Sequence, residues 1–465
     1  MKRTGPLTRT GVFPGKFKNN YPRHACPEHI MAFAPTRSGK GVGLVVPTLP
    51  SWGESAAIHD IKGENWQLAA SWRSTFSHCL LFNPTDPESA KRNPLPEVRK
   101  GRGKVRDVQN IADIPVDPEG APERRNHWEK TGRALPVGAI LHVPHAEKEK
   151  TPAHVASFPS DPGRAFERTL RVMMSANRLG PEGGKPRTRP VVAQAARELL
   201  NKSENERSGV LSTAMSFPGL YRDPTVAEVT SCCDWRIADL IGGQKPVSLY
   251  LVVPPYDISR TKSLGRLILN QIGRRLTEKL DDQAEWEKRR RVPLMLDEFP
   301  ALGRLDFFES ALAFMAGYGL RAFLIAQSLN QIEKAYGPNN SILDNCHVRV
   351  AFATNDERTA KRISDALGST TEMRAMRNYA GHRLAPWLGH VMVSRQESAR
   401  QLLTPGEIMQ LPPDDEIVLV SGYSPVRAKK AALFSRSEFY QPRYLLSRAG
   451  RPRPSLWRPA RFPPG

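Results

Sequence analysis

The stretch that decides the fold is "HIMAFAPTRSGKGVG", residues 29–43. Its apolar part, residues 30–34, reads as a short buried strand. Residues 35–41 form a turn containing Gly39 and Gly41, and residues 42–49 begin a helix that runs into Pro47 and Pro50. A strand, a glycine turn with a lysine, and a helix start are the setting of a phosphate-binding loop, G-x-x-x-x-G-K-[ST]. In such a loop, backbone N–H groups at the helix N-terminus cradle phosphate oxygens, and the lysine adds charge at the β/γ position. Two positions depart from the pattern. Ala34 replaces the first glycine, a mild change because only the backbone conformation matters there. Gly41 stands where a Ser or Thr hydroxyl ordinarily ligates Mg²⁺. A water, Thr36 or Ser38 would have to fill that place. Thr36, Arg37, Ser38, Gly39, Lys40, Gly41 and Val42 are the candidate nucleotide-binding residues.

Outward from the loop, more short apolar runs end abruptly in polar residues: 55–60, 78–82, 247–253, 292–298, 321–328, 347–353 and 416–422. Runs of this length read as strands buried on both faces. Helix-like segments at 64–75, 261–281, 305–316, 328–336 and 356–367 separate many of them. Strands alternating with helices predict an α/β fold with a mainly parallel sheet. "RVPLMLDEFPALG" is such a strand, ending in Asp297 and Glu298. In nucleotide hydrolases an Asp at this point holds Mg²⁺ through water, and a following Glu orients or deprotonates the attacking water. "LIAQSLNQ" places Gln327 at the end of the next strand, where it can sense the γ-phosphate or the water, or simply start a helix. "HDIKGEN" puts Asp60, Lys62 and Glu64 at or just past the second strand, as a charged turn or a fourth contributor. All four places lie at the carboxyl ends of strands, where open α/β sheets bind ligands.

The middle of the chain breaks this rhythm. From about 85 to 245 no strand is evident, and helix formers dominate. A mostly α-helical insert there explains why Lys40 and Asp297 stand 257 positions apart, when two βαβ units need only roughly 60–100 residues. Pro136, Pro144, Pro159 and Pro218 interrupt it, which implies many short helices or strained ones. The expected division is 1–84 and 246–440 for one nucleotide-binding domain, 85–245 for the insert, and 441–465 for a basic, Pro-rich tail.

The chain of 465 residues has 68 Lys and Arg against 47 Asp and Glu, a net charge of +21. Such a surplus points to a polyanionic partner. Only six of these cations (Arg443, Arg448, Arg451, Arg453, Arg458 and Arg461) sit in the tail, so the folded surface itself is basic. The five cysteines are odd in number and form no C-x-x-C pair, which argues against a disulfide framework and for a reducing compartment. No apolar run reaches the ~18 residues of a membrane span. His142, His145, Glu147 and His154 lack the spacing of a metal site, and Cys232–Cys233 and the apolar helix 307–319 read as packing.

Several long stretches carry a family resemblance. "FAPTRSGKGVGLVVPTL", "DIKGENW", "NIADI", "ARELLNKSENERSGVLSTAMSF", "LMLDEFPALGRLDFFESALAFMAGYG", "LIAQSLNQIEKAYG", "ILDNCHVRVAFATNDERTAKRIS" and "LLTPGEIMQLPPDDEIVLVSG" closely resemble the TraG/TraD family of conjugation and type IV secretion coupling proteins, over roughly residues 20–435. The resemblance implies a RecA-like P-loop NTPase interrupted by an all-α domain. It implies ATP and Mg²⁺ as cofactors, with Lys40 as the Walker A lysine, Asp297 and Glu298 as the Walker B pair with Asp297 toward the metal, and Gln327 as the polar residue of the next strand. The loop with Gly41 looks like one found in the TraG branch. The implied partners are single-stranded DNA, the relaxosome and components of the type IV secretion channel. The implied assembly is a homo-hexamer at the cytoplasmic face of the bacterial inner membrane. Family members usually carry N-terminal transmembrane helices. This chain shows none and starts shortly before the first core strand, so it reads as a shortened form that alone would be soluble and cytoplasmic. Where some relatives carry an arginine finger, the sequence reads Met315–Ala316–Gly317, with Arg321 and Arg349 the arginines left to consider. Two other functions remain open: a cytosolic RecA-like DNA translocase or helicase, and a truncated adaptor that binds nucleotide and DNA without hydrolysis.

Overall fold

The computed structural model describes residues 11–17, 23–99, 101, 103–116, 134–176, 190–278, 290–380 and 390–430. The tail 441–465 lies outside them. Eleven strands occur among the described residues. In chain order they are β1 Ile30–Phe33, β2 Ala56–Asp60, β3 His78–Phe82, β4 Val247–Val252, β5 Val292–Leu296, β6 Leu320–Ala326, β7 Val348–Ala351, β8 Ser369–Ala380, β9 His390–Gln401, β10 Asp415–Val420 and β11 Val426–Lys429. Nine of them form one sheet in the order β11-β10-β7-β1-β6-β5-β2-β4-β3. From β7 through β3 every pairing is parallel.

The sheet holds because alternate residues of each central strand feed two different cores. Ile30 and Ala32 of β1 join Ile58, Met295, Phe323 and Trp52 on one face. Met31 and Phe33 join Leu249, Leu294, Leu324 and Phe299 on the other. All of these side chains are essentially buried. Arg73, at the end of the helix Glu64–Arg73, is buried as well, and it ties the first face together. It donates to the carbonyls of Leu49 and Trp52 at 2.6 Å, to Glu54 O at 2.7 Å and to Ser248 Oγ of β4 at 2.6 Å. Leu49 is in the last turn of the short helix Val46–Ser51, and Trp52 and Glu54 follow it, so Arg73 supplies donors to carbonyls at and just beyond that helix end.

Two expectations need correction. The apolar run at 416–422 does form a strand, β10, but it runs antiparallel to β7 and continues into β11. The short connection 421–425 makes β11 return antiparallel to β10. Pro47 and Pro50 also do not stop the helix after the loop. Pro47 sits in the first turn of Val46–Ser51, where a missing N–H costs nothing, and Pro50 sits in its last turn.

Between β3 and β4 the described chain is helical. Lys104–Val116, Ala134–Ala146, Phe166–Ser175 and Pro190–Leu200 pack around their own core of Val108, Ile140, Leu141, Leu170, Met173 and Val192. Leu267, on the long helix Ile258–Leu276, reaches into that core from the sheet side. The last part of the interval behaves differently. Val226, Trp235, Ile237 and Leu240 belong to the core of the sheet. Buried Arg92 fastens this part: its guanidinium lies 4.4 Å from the Trp235 ring centroid, donates to Trp235 O at 2.9 Å and pairs with Glu97 at 3.0 Å. The four prolines that interrupt the apolar stretches fall in first or last helical turns or in 3₁₀ turns, with Pro136 in the first turn of Ala134–Ala146. Pro144 is in the last turn of Ala134–Ala146, and Pro159 and Pro218 are in the turns Phe158–Ser160 and Phe217–Arg222.

β8 and β9 form a separate antiparallel ribbon, paired from Ser369↔Gln401 to Ala380↔His390. The sequence reading found no strand there.

Candidate nucleotide site

The loop after β1 carries the unusual backbone of the molecule. Gly39 has φ 80° and Arg37 has φ 62°. The second residue with positive φ outside glycine, among those described, is Glu298 at φ 54°, directly after β5. A glutamate in the left-handed region is strained, and here that conformation aims it back over the loop. Lys40 follows as the N-cap of a π-helical turn Gly41–Val45, a wide turn in which the Val46 N–H donates five residues back to Gly41 O. A Cβ added at Gly39 or Gly41 would meet no atom within 4 Å. The loop therefore faces open space rather than packed protein, and the Ser38 hydroxyl is buried with no hydrogen-bond partner among the described residues. Both features suit a group that brings its own oxygens.

Three strands converge on Lys40. Its ammonium lies 3.1 Å from Asp297 Oδ1 and also pairs with Glu298 Oε1. Gln327, just past β6, donates from Nε2 to the same Glu298 oxygen at 2.9 Å. Its backbone N–H donates to Gln331 Oε1 at 3.0 Å, which fixes the residue at the start of the helix Leu329–Tyr336. Sheet order explains the meeting: β1, β6 and β5 are neighbours, all parallel, so their carboxyl ends open at one edge. Behind the acidic pair, His59 Nδ1 lies 2.8 Å from Asp297 O, and burial keeps that imidazole pKa low. Lys40, Asp297, Glu298 and Gln327 thus form one cluster, while Thr36 and Arg37 point outward and are exposed.

The "HDIKGEN" residues divide. Asp60 is buried, and its Oδ2 accepts from the Trp66 N–H at 2.9 Å in the first turn of Glu64–Arg73. Burial pushes its carboxyl up to about 6, with the nearby Asp297 charge adding to the effect. Lys62 and Glu64 face solvent, 3.9 Å apart. Asp60 is therefore a neighbour of the acidic pair, and the other two are a surface turn.

The arginines considered as fingers sit elsewhere. Arg321 begins β6, at the opposite end of that strand from Gln327, and is 3% exposed. It donates to His24 O at 2.9 Å. A side chain so enclosed has no reach to a neighbouring molecule. Arg349 donates to Leu343 O at 3.0 Å. In the helical region His142 Nε2 and His154 Nε2 lie 3.1 and 3.7 Å from the two oxygens of Glu147. Among the described residues, His24, Cys26 and Glu28 place one ligand atom each within 4.8 Å of one another. The Arg321 charge beside His24 opposes a cation there.

Sequence reasoning missed one residue of the site. Lys430, directly after β11, donates from Nζ to Ser38 O at 3.0 Å and lies 3.9 Å from the Phe352 ring centroid. Its only sequence signal is a pair of lysines at a strand end, "RAKK", which is common.

A mainly parallel sheet, a lysine loop after one strand and an acidic pair after a neighbouring strand define a RecA-like P-loop nucleotide hydrolase. The chain belongs to the family described as type IV secretory system conjugative DNA transfer, whose model matches residues 2–449. It is 40% identical to the conjugal transfer protein TraG of Escherichia coli, over 94% of this chain and 73% of that protein. It is 28% identical to the VirD4 protein of Agrobacterium fabrum, over 88% of this chain and 59% of the relative. Its fold is similar to the bacterial conjugative coupling protein TrwBdeltaN70, with a TM-score of 0.67 at 18% identity, covering 94% of this chain and 91% of that one. The plasmid coupling protein TrwB in complex with ADP and Mg²⁺ superposes with a TM-score of 0.65 at 18% identity, over 94% and 92% of the two chains. The chain is thus a coupling ATPase of the conjugation and type IV secretion class.

Proposed function

We propose that this coupling ATPase hydrolyses ATP at the Lys40 cluster and uses it to move single-stranded DNA and its relaxosome proteins toward a type IV secretion channel. The observation that carries the catalytic part is the convergence of Lys40, Asp297, Glu298 and Gln327 from three adjacent strands. TrwB structures with ADP and Mg²⁺ and with an ATP analogue support the choice of cofactor. The net charge of +21 suits a phosphodiester substrate. We further propose that 1–84 and 246–440 form the nucleotide-binding domain, with 85–245 as a helical domain beside it whose segment 224–242 packs on the sheet. A homo-hexamer at the cytoplasmic face of the inner membrane fits the family. No described helix is long and apolar enough to cross a membrane.

In this reading the backbone of residues 36–42 would hold the phosphates and Asp297 would hold Mg²⁺, with the Ser38 hydroxyl the candidate to stand in for the one Gly41 lacks. Mg²⁺ supplies charge neutralisation on the transferring phosphate oxygens. Lys40 must exchange the carboxylates of Asp297 and Glu298 for phosphate oxygens, which frees Glu298. Glu298 then accepts a proton from the attacking water at Oε1, and the Gln327 amide holds that carboxylate in its rotamer through the 2.9 Å bond. Glu298→Gln tests the assignment. It keeps the shape and the hydrogen-bonding capacity but not the base, so nucleotide binding should persist while turnover drops by roughly 10²–10⁴. Turnover within a few-fold of the unsubstituted protein would remove Glu298 from the role.

A further inference from the structure

Lys430 approaches the phosphate loop from the side opposite the acidic pair. The sheet order is β11-β10-β7-β1-β6-β5, so Lys430 comes from the β11 side of β1, and Asp297, Glu298 and Gln327 come from the β6 and β5 side. Three contacts fix it. Its backbone N–H donates to Asp414 O at 2.8 Å. Its ammonium rests over Phe352, which follows β7 and is itself buried. Its Nζ donates to the Ser38 carbonyl at 3.0 Å. Burial lowers the lysine pKa, and Glu416, Asp414 and Asp415 nearby offset part of that cost.

The Ser38–Gly39 peptide is trans, as are all the described peptides. In a trans peptide the C=O and N–H point in opposite directions. Drawing the Ser38 carbonyl toward Lys430 therefore turns the Gly39 N–H toward the side on which Lys40 meets Glu298. Gly39 has φ 80°, a conformation that glycine adopts without strain and that needs an anchor to be the single one populated.

We propose that Lys430 is a positioning residue of the nucleotide site: through the Ser38 carbonyl it holds the Gly39 N–H inward, ready to bind a phosphate oxygen of a nucleoside di- or triphosphate. The proposal rests on the loop being the nucleotide site, and the test separates the two. Lys430 touches no substrate in this account. Its effect is uniform binding, so it moves KM and leaves kcat.

The experiment compares Lys430→Met, Lys430→Arg and Lys40→Ala with the unsubstituted chain. It measures the Kd of fluorescent ADP and ATP, steady-state hydrolysis, and Tm without nucleotide. Methionine keeps the stem over Phe352 and removes the donor. Losing a charge-assisted hydrogen bond that orders the loop should raise Kd and KM about tenfold or more, with kcat within about twofold and Tm unchanged. Arginine restores a cationic donor and should recover most of the affinity. Unchanged Kd in Lys430→Met, beside weakened binding in Lys40→Ala, overturns the Lys430 role alone. A fall in Tm with kcat and affinity lost together, and no rescue by arginine, also overturns it, because that is the mark of a merely structural lysine. Nucleotide binding that survives in Lys40→Ala counts against the site itself.

Discussion

Glu416 is a buried carboxylate that costs stability when charged. It is 0% exposed on β10, and neither carboxylate oxygen has a hydrogen-bond partner among the described residues. Gly15, at φ 138°, covers it so closely that a Cβ there would overlap Oε1. Burial pushes its pKa up to about 8, with the Lys430 charge opposing the shift. A raised carboxyl pKa means the folded state binds more protons than the unfolded one between about pH 4.5 and 8. Stability should therefore fall as pH rises through that window, by an amount on the order of a few kcal/mol. Asp60, at about 6, contributes only to the lower part of it. Thermal melts of Glu416→Gln between pH 6 and 8 should be nearly flat while the unsubstituted protein loses Tm. Parallel slopes would show that Glu416 does not carry the effect. At this scale the sequence was legible where chemistry needs a pattern: Lys40, Asp297, Glu298 and Gln327 do meet. It was silent on Glu416 and Lys430, because one is a charged residue at the edge of an apolar run and the other a lysine among lysines. Only the packing of β10 and β11 beside the loop gives either one meaning.

Among the elements, the buried strands were read almost to the residue. The run 292–298 contains β5, Val292–Leu296, every residue of which is buried because both faces of a central parallel strand are covered. Direction was less legible: β10 is a short, mostly apolar run like the parallel strands, and nothing in its residues marks it as antiparallel to β7. The β8–β9 ribbon escaped altogether for a physical reason. None of its described side chains is buried, so no hydrophobic alternation marks it. Its strands twelve residues long hold by cross-strand pairing, and its base is tied down by Leu402 N–H to Gly368 O at 3.0 Å and by Arg400 with Glu407 at 2.9 Å. An isolated two-stranded ribbon adds little stability. Replacing residues 370–400 with a short Gly-Ser linker should change unfolding free energy by less than about 1 kcal/mol in urea titrations. A larger loss would mean that the ribbon is part of the core.

For the whole molecule, the architecture answers a question of distance. Lys40 and Glu298 are 258 positions apart along the chain and in direct contact, because a helical region leaves the sheet after β3 and returns as β4, its neighbour in the sheet. The helical character of that interval was legible from its composition. The return of its last segment to the sheet core through Trp235, Ile237 and Leu240 was not, since those residues carry no pattern that distinguishes one core from another. The same molecule carries a net charge of +21, so the proposed nucleotide hydrolysis and DNA binding should be linked rather than separate. Steady-state ATP hydrolysis, measured with and without single-stranded DNA and beside Lys40→Ala, tests this most directly. The expected result is turnover that DNA stimulates and that the Lys40 substitution abolishes. Turnover no greater than that of Lys40→Ala, with or without DNA, would contradict it and leave a chain that binds without driving anything.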